Sequence, residues 1–175
     1  TNESMERVLV FVNNKKISDM LHTRIEEDFE GQFGVIHSNK SQNYRLSTMA
    51  EFQEGNLRGL ITTDIMARGL DISNISHVIN FELPEFPELY MHRIGRTGRA
   101  GNGGIAISFC SKDEHPYWKD IQKLIKVDVQ TITDHPYPWH AGSPEAEATP
   151  QKNSNRSAGA HKSRKSAGSK QNKKR

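Results

Sequence analysis

The sequence predicts an α/β fold, with a mainly parallel sheet and helices on both faces, followed by a disordered basic tail. Short apolar, β-branched segments alternate with segments of helical periodicity, which is typical of βαβ units. The strand-like segments are almost continuously apolar, as expected for strands covered on both faces. Near residue 140 this pattern gives way to Ser, Ala, Gly, Asn, Lys and Arg without periodicity. We therefore assign residues 1–140 to one domain and residues 141–175 to the tail.

The first half of the chain has the pattern of two strand–helix pairs. Apolar runs predict buried strands at Arg7–Val12 and Phe33–His37. Apolar residues at helical spacing predict amphipathic helices at Lys15–Phe29 and Ser41–Gln53. A glycine follows soon after each helix, and glycine commonly ends helices.

The second half continues the alternation. Strands and helices are predicted, in order, at Gly59–Thr63 (strand), His77–Phe81 (strand), Glu88–Ile94 (helix), Ile105–Cys110 (strand) and Asp113–Lys126 (helix). The segment Val127–Thr133 has the alternation of an additional edge strand. Phe11, Val12 and Cys110 are predicted to belong to the core.

Ligands of such folds bind in the loops beyond the carboxyl ends of the parallel strands. The predicted elements put four segments there, namely Asn13–Lys16, His37–Ser41, Asp64–Asp71 and the residues after Phe81. We expect the functional residues to lie in these loops.

Composition excludes several classes of protein. The single cysteine excludes an internal disulfide framework and a four-thiolate zinc site, and the histidines have no metal-ligand spacing. No apolar run approaches the roughly 20 residues that cross a bilayer. The polar N-terminus lacks the features of a signal peptide and begins with Thr rather than Met. We expect an excised fragment of a cytoplasmic protein that does not associate with membranes.

The charge differs between the two parts of the chain. The last 35 residues hold nine Lys and Arg and two Glu, a net charge of +7. Because the whole chain carries +3, residues 1–140 carry about −4. A basic tether on an acidic domain favours non-specific attraction to RNA, although a solubilising extension is the alternative.

The most informative segment is YMHRIGRTGRAG, Tyr90–Gly101, in which Arg93, Arg96 and Arg99 are three residues apart. On a helix this spacing puts the guanidinium groups on neighbouring positions, where their repulsion favours a bound anion. Guanidinium forks form bidentate bonds to phosphate oxygens, so a triphosphate is the expected anion. A solvated basic face is the alternative, and the interspersed glycines argue against it.

This segment resembles a known family. HRIGRTGR resembles motif VI of the superfamily 2 helicases, and most closely that of the DEAD-box RNA helicases. Three further segments resemble family motifs in the same order: VLVFVNNK (motif IV), HSNKSQNYR (the segment with the Gln-x-x-Arg pair) and TDIMARGLD (motif V). The resemblance covers about residues 7–127 and implies a second, C-terminal RecA-like domain. The tail with HPYPWH resembles that of RhlE-type bacterial members.

The resemblance implies roles for five residues toward ATP. Arg96 and Arg99 resemble the arginine fingers that face the γ-phosphate. Asp71 resembles the carboxylate that binds the ribose, with a helix N-cap as the alternative, and Gly69 resembles the glycine that lets the loop lie against the nucleotide, with a turn glycine as the alternative. His92 resembles the histidine that links the site to the facing domain, and a structural histidine is the alternative.

The resemblance also implies that Gln42, Arg45, Thr63 and Asn14 face the RNA backbone. Gln42 could equally cap a helix, Arg45 could pair with a nearby acid, and Thr63 could simply pack in its strand. Asn14 is the weakest of the four candidates. Contacts to the backbone carry no base information, so binding should be largely independent of sequence.

Two motifs needed for ATP hydrolysis do not occur in the sequence, namely the G-x-x-x-x-G-K-[ST] phosphate loop and the D-E-A-D box. In the family they belong to the N-terminal RecA-like domain, which holds most of the ATP and Mg²⁺. We therefore expect half of an RNA helicase, inactive alone, whose partners are RNA and that N-terminal domain. The alternatives are a non-catalytic RNA-binding module and a DNA helicase of the same superfamily.

Overall fold

A computed structural model describes residues 5–64, 75–98 and 103–132. The strands are β1 (Val8–Val12), β2 (Phe33–Ile36), β3 (Gly59–Thr63), β4 (His77–Asn80) and β5 (Ile105–Ser108). The α-helices are α1 (Lys15–Glu26), α2 (Gln42–Glu54), α3 (Pro87–Ile94) and α4 (His115–Ile125), and a 3₁₀ turn at Lys112–Glu114 precedes α4. Every strand and helix predicted within the first 126 residues is confirmed, with ends that differ by a few residues.

The strands form one parallel sheet in the order β2-β3-β1-β4-β5. Val8 of β1 lies opposite Gly59 of β3 on one side and His77 of β4 on the other. The carboxyl ends of all the strands in this sheet therefore lie along one edge, called here the carboxyl edge, which confirms the predicted α/β class.

Apolar side chains cover both faces of the sheet. On one face Ile17, Leu21 and Ile25 of α1 pack against alternate strand residues, namely Val8, Val10, Val12, Val35 and Ile61. On the other face Phe52 and Met49 of α2 pack against Leu9, Phe11, Ile36, Leu60 and Val78. Strands that bury both sets of side chains must be apolar throughout, which explains the continuous apolar runs in the sequence.

A third apolar cluster joins α3 to α4. Tyr90 and Ile121 are buried together with Leu83. Trp118 meets the Tyr90 ring edge to face, with the ring centroids 6.2 Å apart. The cluster fixes α3, which carries the first residues of the arginine motif.

Three sequence predictions about individual elements are wrong. Helix α1 ends at Glu26, three residues before Phe29, where the Ile25 carbonyl accepts the Asp28 amide as well as the Phe29 amide and the chain then turns through Gly31, whose φ is 68°. Residues 127–132 form no strand and pair with no described strand, and Val127 and Ile132 are each 68% exposed. Cys110 is exposed because it follows β5, the edge strand of the described sheet.

The described residues up to Val129 belong to one compact unit. The predicted tail, residues 141–175, lies outside the described residues, so the boundary at residue 140 stays a prediction. None of the described helices has the length and apolar character needed to cross a bilayer.

Candidate nucleotide and RNA interface

Arg93, in the last turn of α3, donates hydrogen bonds to four residues at the carboxyl edge. Its Nε and Nη2 donate to the two carboxylate oxygens of Asp64, each at 2.7 Å. Its Nη1 donates to the Glu82 carbonyl at 2.7 Å and to Asn80 Oδ1 at 3.3 Å. Its Nη2 also donates to Asn13 Oδ1 at 2.9 Å. This set of contacts, called here the Arg93 network, uses every nitrogen of the guanidinium.

The Arg93 network holds together the carboxyl ends of three strands. Asn13 follows β1, Asp64 follows β3, and Glu82 follows β4, and these strands are neighbours in the sheet. Arg93 is 1% exposed and lies over the Phe11 ring, 5.2 Å from its centroid. A charge buried to this degree needs a partner, which Asp64 supplies. The prediction that all three arginines of the motif neutralise a bound anion is therefore wrong for Arg93.

The rest of the arginine motif does not continue the helix. Helix α3 ends at Ile94, so Arg96 lies beyond it rather than on the predicted helical face. The Thr97 hydroxyl donates to the Ser76 carbonyl at 3.2 Å, and Gly98 has a φ of 69°, which favours glycine. A Cβ on Gly104 would lie 2.2 Å from Thr97 Oγ1, so this glycine allows the close approach.

The predicted ATP residues are only partly described by the structure. His92 is exposed in the last turn of α3, and Arg96 is half-buried just beyond it. Gly69, Asp71 and Arg99 lie outside the described residues. The Arg93 guanidinium is fully used within the protein, and the role of Arg96 toward a phosphate group stays a prediction.

The predicted RNA residues lie at the carboxyl ends of three adjacent strands, β2, β3 and β1. Thr63 is the last residue of β3, and Asn14 follows β1. Gln42 and Arg45 stand in the first two turns of α2, which follows β2. The fold therefore brings to one side of the edge four residues that are up to 49 positions apart in the sequence.

The structure narrows the alternatives for these residues. Ser41, rather than Gln42, caps α2, because its side chain accepts the Tyr44 amide. Arg45 forms no ion pair with any described carboxylate. Asn14 caps α1, since its Oδ1 accepts the amides of Lys16 and Ile17 at 3.1 and 3.0 Å. Of the four candidates, Asn14 is thus the one whose side chain has a structural role in the described residues.

Sequence reasoning missed the partners of Arg93. Asp64 and Asn13 each follow an apolar strand directly, so the rule that ligand loops follow the strands pointed to both positions. Neither the pairing nor the burial could be read from the sequence, because Asn13 and Arg93 are separated by 80 residues.

Burial changes the pKa of the side chain of Glu82, whose backbone carbonyl belongs to the Arg93 network. Burial raises the pKa of its carboxyl, and the nearby charge of Glu114 raises this pKa further. The Asn13 amide, which donates to Glu82 Oε2 at 2.8 Å, lowers the pKa in part. A carboxyl with a raised pKa in the folded state favours folding below its unfolded pKa, and this contribution is lost as the pH rises through the folded pKa. Ionised Glu82 therefore costs stability at neutral pH.

We expect Glu82→Gln to raise the unfolding temperature slightly at pH 7, by about 1–2 °C. The amide keeps an oxygen for the Asn13 amide but has no charge to desolvate. The advantage should shrink as the pH falls and disappear near pH 3, well below the ordinary glutamate pKa of about 4.3, where the side chain is uncharged in both states. Thermal unfolding across a pH series measures it, with exposed Glu85→Gln as the matched control. An equal gain for both variants would contradict the explanation from burial.

Comparison with known proteins identifies the class. Residues 1–101 match the family described as the helicase conserved C-terminal domain, and the chain belongs to this family. Within it the chain groups with the DEAD-box RNA helicases, as their second RecA-like domain. The match in the described residues includes the loop after β2, the end of β3 and the start of the arginine motif.

Two curated relatives illustrate the similarity. The chain is 42% identical to eukaryotic initiation factor 4A-1 of Arabidopsis thaliana over 124 residues, which are 71% of this chain and 30% of that protein. It is 39% identical to the ATP-dependent RNA helicase RhlB of Pseudomonas syringae pv. tomato over 137 residues, 77% of this chain and 34% of the relative. The chain thus spans about a third of the length of these relatives.

Solved structures of the DEAD-box protein Dbp5 have the same fold. The C-terminal domain of Dbp5 superposes with a TM-score of 0.65 at 33% identity, covering 71% of this chain and 73% of that one. Saccharomyces cerevisiae Dbp5 bound to RNA and ADP BeF3 superposes with a TM-score of 0.63 at 35% identity, covering 69% and 32%.

Proposed function

We propose that this chain is the C-terminal half of an ATP-dependent RNA helicase, which couples ATP hydrolysis to the unwinding of short RNA duplexes or the remodelling of RNA–protein complexes. The observation that carries the proposal is the Arg93–Asp64 ion pair. It joins the arginine motif to the segment after β3 in a chain that belongs to the helicase C-terminal family. RNA helicase RhlB and RNA-bound Dbp5 are similar to this chain over most of its length.

Toward the nucleotide, the chain would contribute Arg96 and Arg99 as arginine fingers, Asp71 for the ribose, Gly69 for close approach, and His92 for contact with the facing domain. ATP, when bound, supplies the phosphoanhydride bond whose hydrolysis drives the cycle. Guanidinium groups stabilise the charge that develops on the transferred phosphoryl group. Mg²⁺ would be held mainly by the N-terminal RecA-like domain. No group of three potential metal-ligating side chains occurs among the described residues.

Toward RNA, the chain would contribute Gln42, Arg45, Thr63 and, more weakly, Asn14, at the carboxyl ends of three adjacent strands. Such groups are ordinary partners of phosphate and sugar oxygens and carry no base information. Binding that is independent of sequence follows. We further propose a cytoplasmic location, and the RhlE-type affinity of the tail stays a prediction.

The proposal is tested by ATP hydrolysis in the longer protein that contains this chain. We expect RNA to stimulate hydrolysis there, whereas the isolated chain, which has no phosphate loop in its sequence, should not hydrolyse ATP. Steady-state phosphate release with and without single-stranded RNA measures both. A longer protein that binds RNA but releases no phosphate would favour the non-catalytic RNA-binding alternative.

We expect the tail to set the salt dependence of RNA binding by this chain. Its nine Lys and Arg can follow a phosphate backbone, whereas residues 1–140 are net negative. Each neutralised phosphate contributes about −0.7 to the slope of log K against log salt concentration on single strands. Deleting residues 141–175 should flatten that slope by several units and weaken binding at low salt. Fluorescence anisotropy over a salt series measures it.

The control for the deletion is a chain of full length in which the nine basic residues of the tail are replaced by Gln. This variant keeps the length of the tail and removes its charge, so its slope should match that of the deletion. A slope that neither change alters would assign the tail a solubilising role and place the electrostatics on the domain.

A further inference from the structure

The loop between β2 and α2 is bound to α1 by side chains at three points. His37 Nε2 and Lys40 Nζ both lie 2.9 Å from Asp19 Oδ1. Lys15 Nζ also donates to Asn39 Oδ1 at 2.9 Å. Asp19 and Lys15 belong to α1, so these contacts tie the loop to a helix on the opposite face of the sheet from α2.

The central contact has one hydrogen-bonding arrangement. His37 is 1% exposed, and the Asn39 amide donates to its Nδ1 at 3.3 Å. Because Nδ1 accepts, the ring proton is on Nε2, which donates to Asp19. The histidine thus connects the backbone of the loop to α1, and the Asn39 N–H, which can only donate, sets the direction of both bonds.

Asp19 accepts from two donors in this cluster. Hydrogen bonds from His37 and then Lys40 hold the pKa of its carboxyl below the usual range, so Asp19 is ionised at neutral pH. Lys40 Nζ also lies 5.5 Å from the centroid of the Tyr44 ring on α2. The Asp19 carboxylate therefore acts on the loop and, through Lys40, on the first turn of α2.

We propose that Asp19 and His37 are positioning residues that set the place of Gln42 and Arg45 against RNA. The loop leads directly to Ser41, the cap of α2, and Gln42 is the first residue of that helix. The contacts of the loop with α1 therefore determine where this turn begins relative to Thr63 and Asn14. The inference rests on the RNA role proposed above for these residues.

The charge of Asp19 makes the inference testable. Asp19→Ala removes a negative charge beside a candidate RNA surface, so electrostatics alone would strengthen binding. Loss of positioning would weaken it, by about threefold to tenfold, the effect of about one misplaced hydrogen bond. Asp19→Asn removes the same charge but keeps an acceptor for His37 and Lys40, so we expect it to bind RNA at least as tightly as the unsubstituted chain.

The experiment measures the Kd of the whole chain for single-stranded RNA by anisotropy, at a salt concentration that suppresses the tail, together with the unfolding temperature. Asp120→Ala is the matched control, because Asp120 is an exposed carboxylate paired with Lys123 on α4. We expect it to leave the Kd unchanged. Asn39→Ala changes no charge and lies at an exposed position, and we expect it to weaken RNA binding about twofold. This variant replaces Asp19→Ala in the test if Asp19→Ala does not fold.

The outcomes separate the two proposals. Weaker binding by Asp19→Ala, with rescue by Asp19→Asn, supports the inference. Unweakened binding by a folded Asp19→Ala, or by Asn39→Ala in its place, overturns the inference and leaves the proposed function standing. Equal weakening by Asp19→Ala and Asp19→Asn also overturns it. No RNA binding by the unsubstituted chain, tail included, overturns the RNA role itself and the inference with it.

Discussion

Replacing Arg93 with Met should destabilise the chain by about 3–5 kcal/mol, as expected when one partner of a buried ion pair is removed. The substitution leaves Asp64 without its countercharge and removes the donors to Asn13, Asn80 and the Glu82 carbonyl. Methionine fills much of the same volume, so lost packing contributes little. For a domain of this size we expect the unfolding temperature to fall by about 10 °C or more. Chemical and thermal unfolding followed by circular dichroism measure the effect.

Two variants show whether the geometry of the guanidinium matters. Arg24→Met is the matched control, because Arg24 is 76% exposed and pairs with Glu27 on the surface, and it should cost less than about 1 kcal/mol. Arg93→Lys keeps the charge but cannot reproduce the planar fork, so we expect most of the loss to remain. An Arg93→Met variant as stable as Arg24→Met would contradict the structural role of the network.

Replacing Arg96 with Ala should lower ATP turnover about 10³-fold in the longer protein, a loss that is typical for an arginine that stabilises the phosphoryl-transfer transition state. Arg99→Ala should have a similar effect. RNA binding should change little, since the RNA residues lie at the ends of β1, β2 and β3, and Arg96 lies beyond α3. Single-turnover hydrolysis and RNA affinity, measured on the same preparations, test both statements.

The control for this prediction must exclude loss of structure. Arg24→Ala changes an exposed arginine on α1 and should leave turnover intact. The unfolding temperature of Arg96→Ala should stay within a few degrees of that of the unsubstituted protein, in contrast to Arg93→Met. Normal turnover in both Arg96→Ala and Arg99→Ala would refute the nucleotide role assigned to the motif.

The sequence predicted the strands well and the ends of elements less well. Continuous apolar runs such as Val8–Val12 are distinctive, because few structures other than a doubly covered strand require them. Phe29 continued the apolar pattern of α1 although the helix ends at Glu26, since a phenylalanine in the following turn can pack equally well. The alternation at residues 127–132 indicated a strand, but a strand also needs an edge with which to pair, and this is a property of the whole sheet.

The described candidate residues lie along the carboxyl edge, where the sequence placed them, whereas Arg93 is paired within the protein. A spacing of three residues cannot tell which arginine faces the protein interior, and the burial of Arg93 depends on acceptors in three other segments. The same limit applies to Asp19 and His37, which are 18 positions apart. The assignment of five residues to the nucleotide rests on the resemblance, namely His92, Arg96, Arg99, Gly69 and Asp71.

The Arg93 network also has a consequence for the order of folding. Its longest link joins residues 80 positions apart, and it closes only after three strands and α3 have come together. Closing a loop of this length costs conformational entropy before the contact can repay it. We therefore expect the network to form after the folding transition state. Arg93 would then contribute little to the folding rate and act mainly by slowing unfolding, so that it increases the kinetic stability of the folded domain.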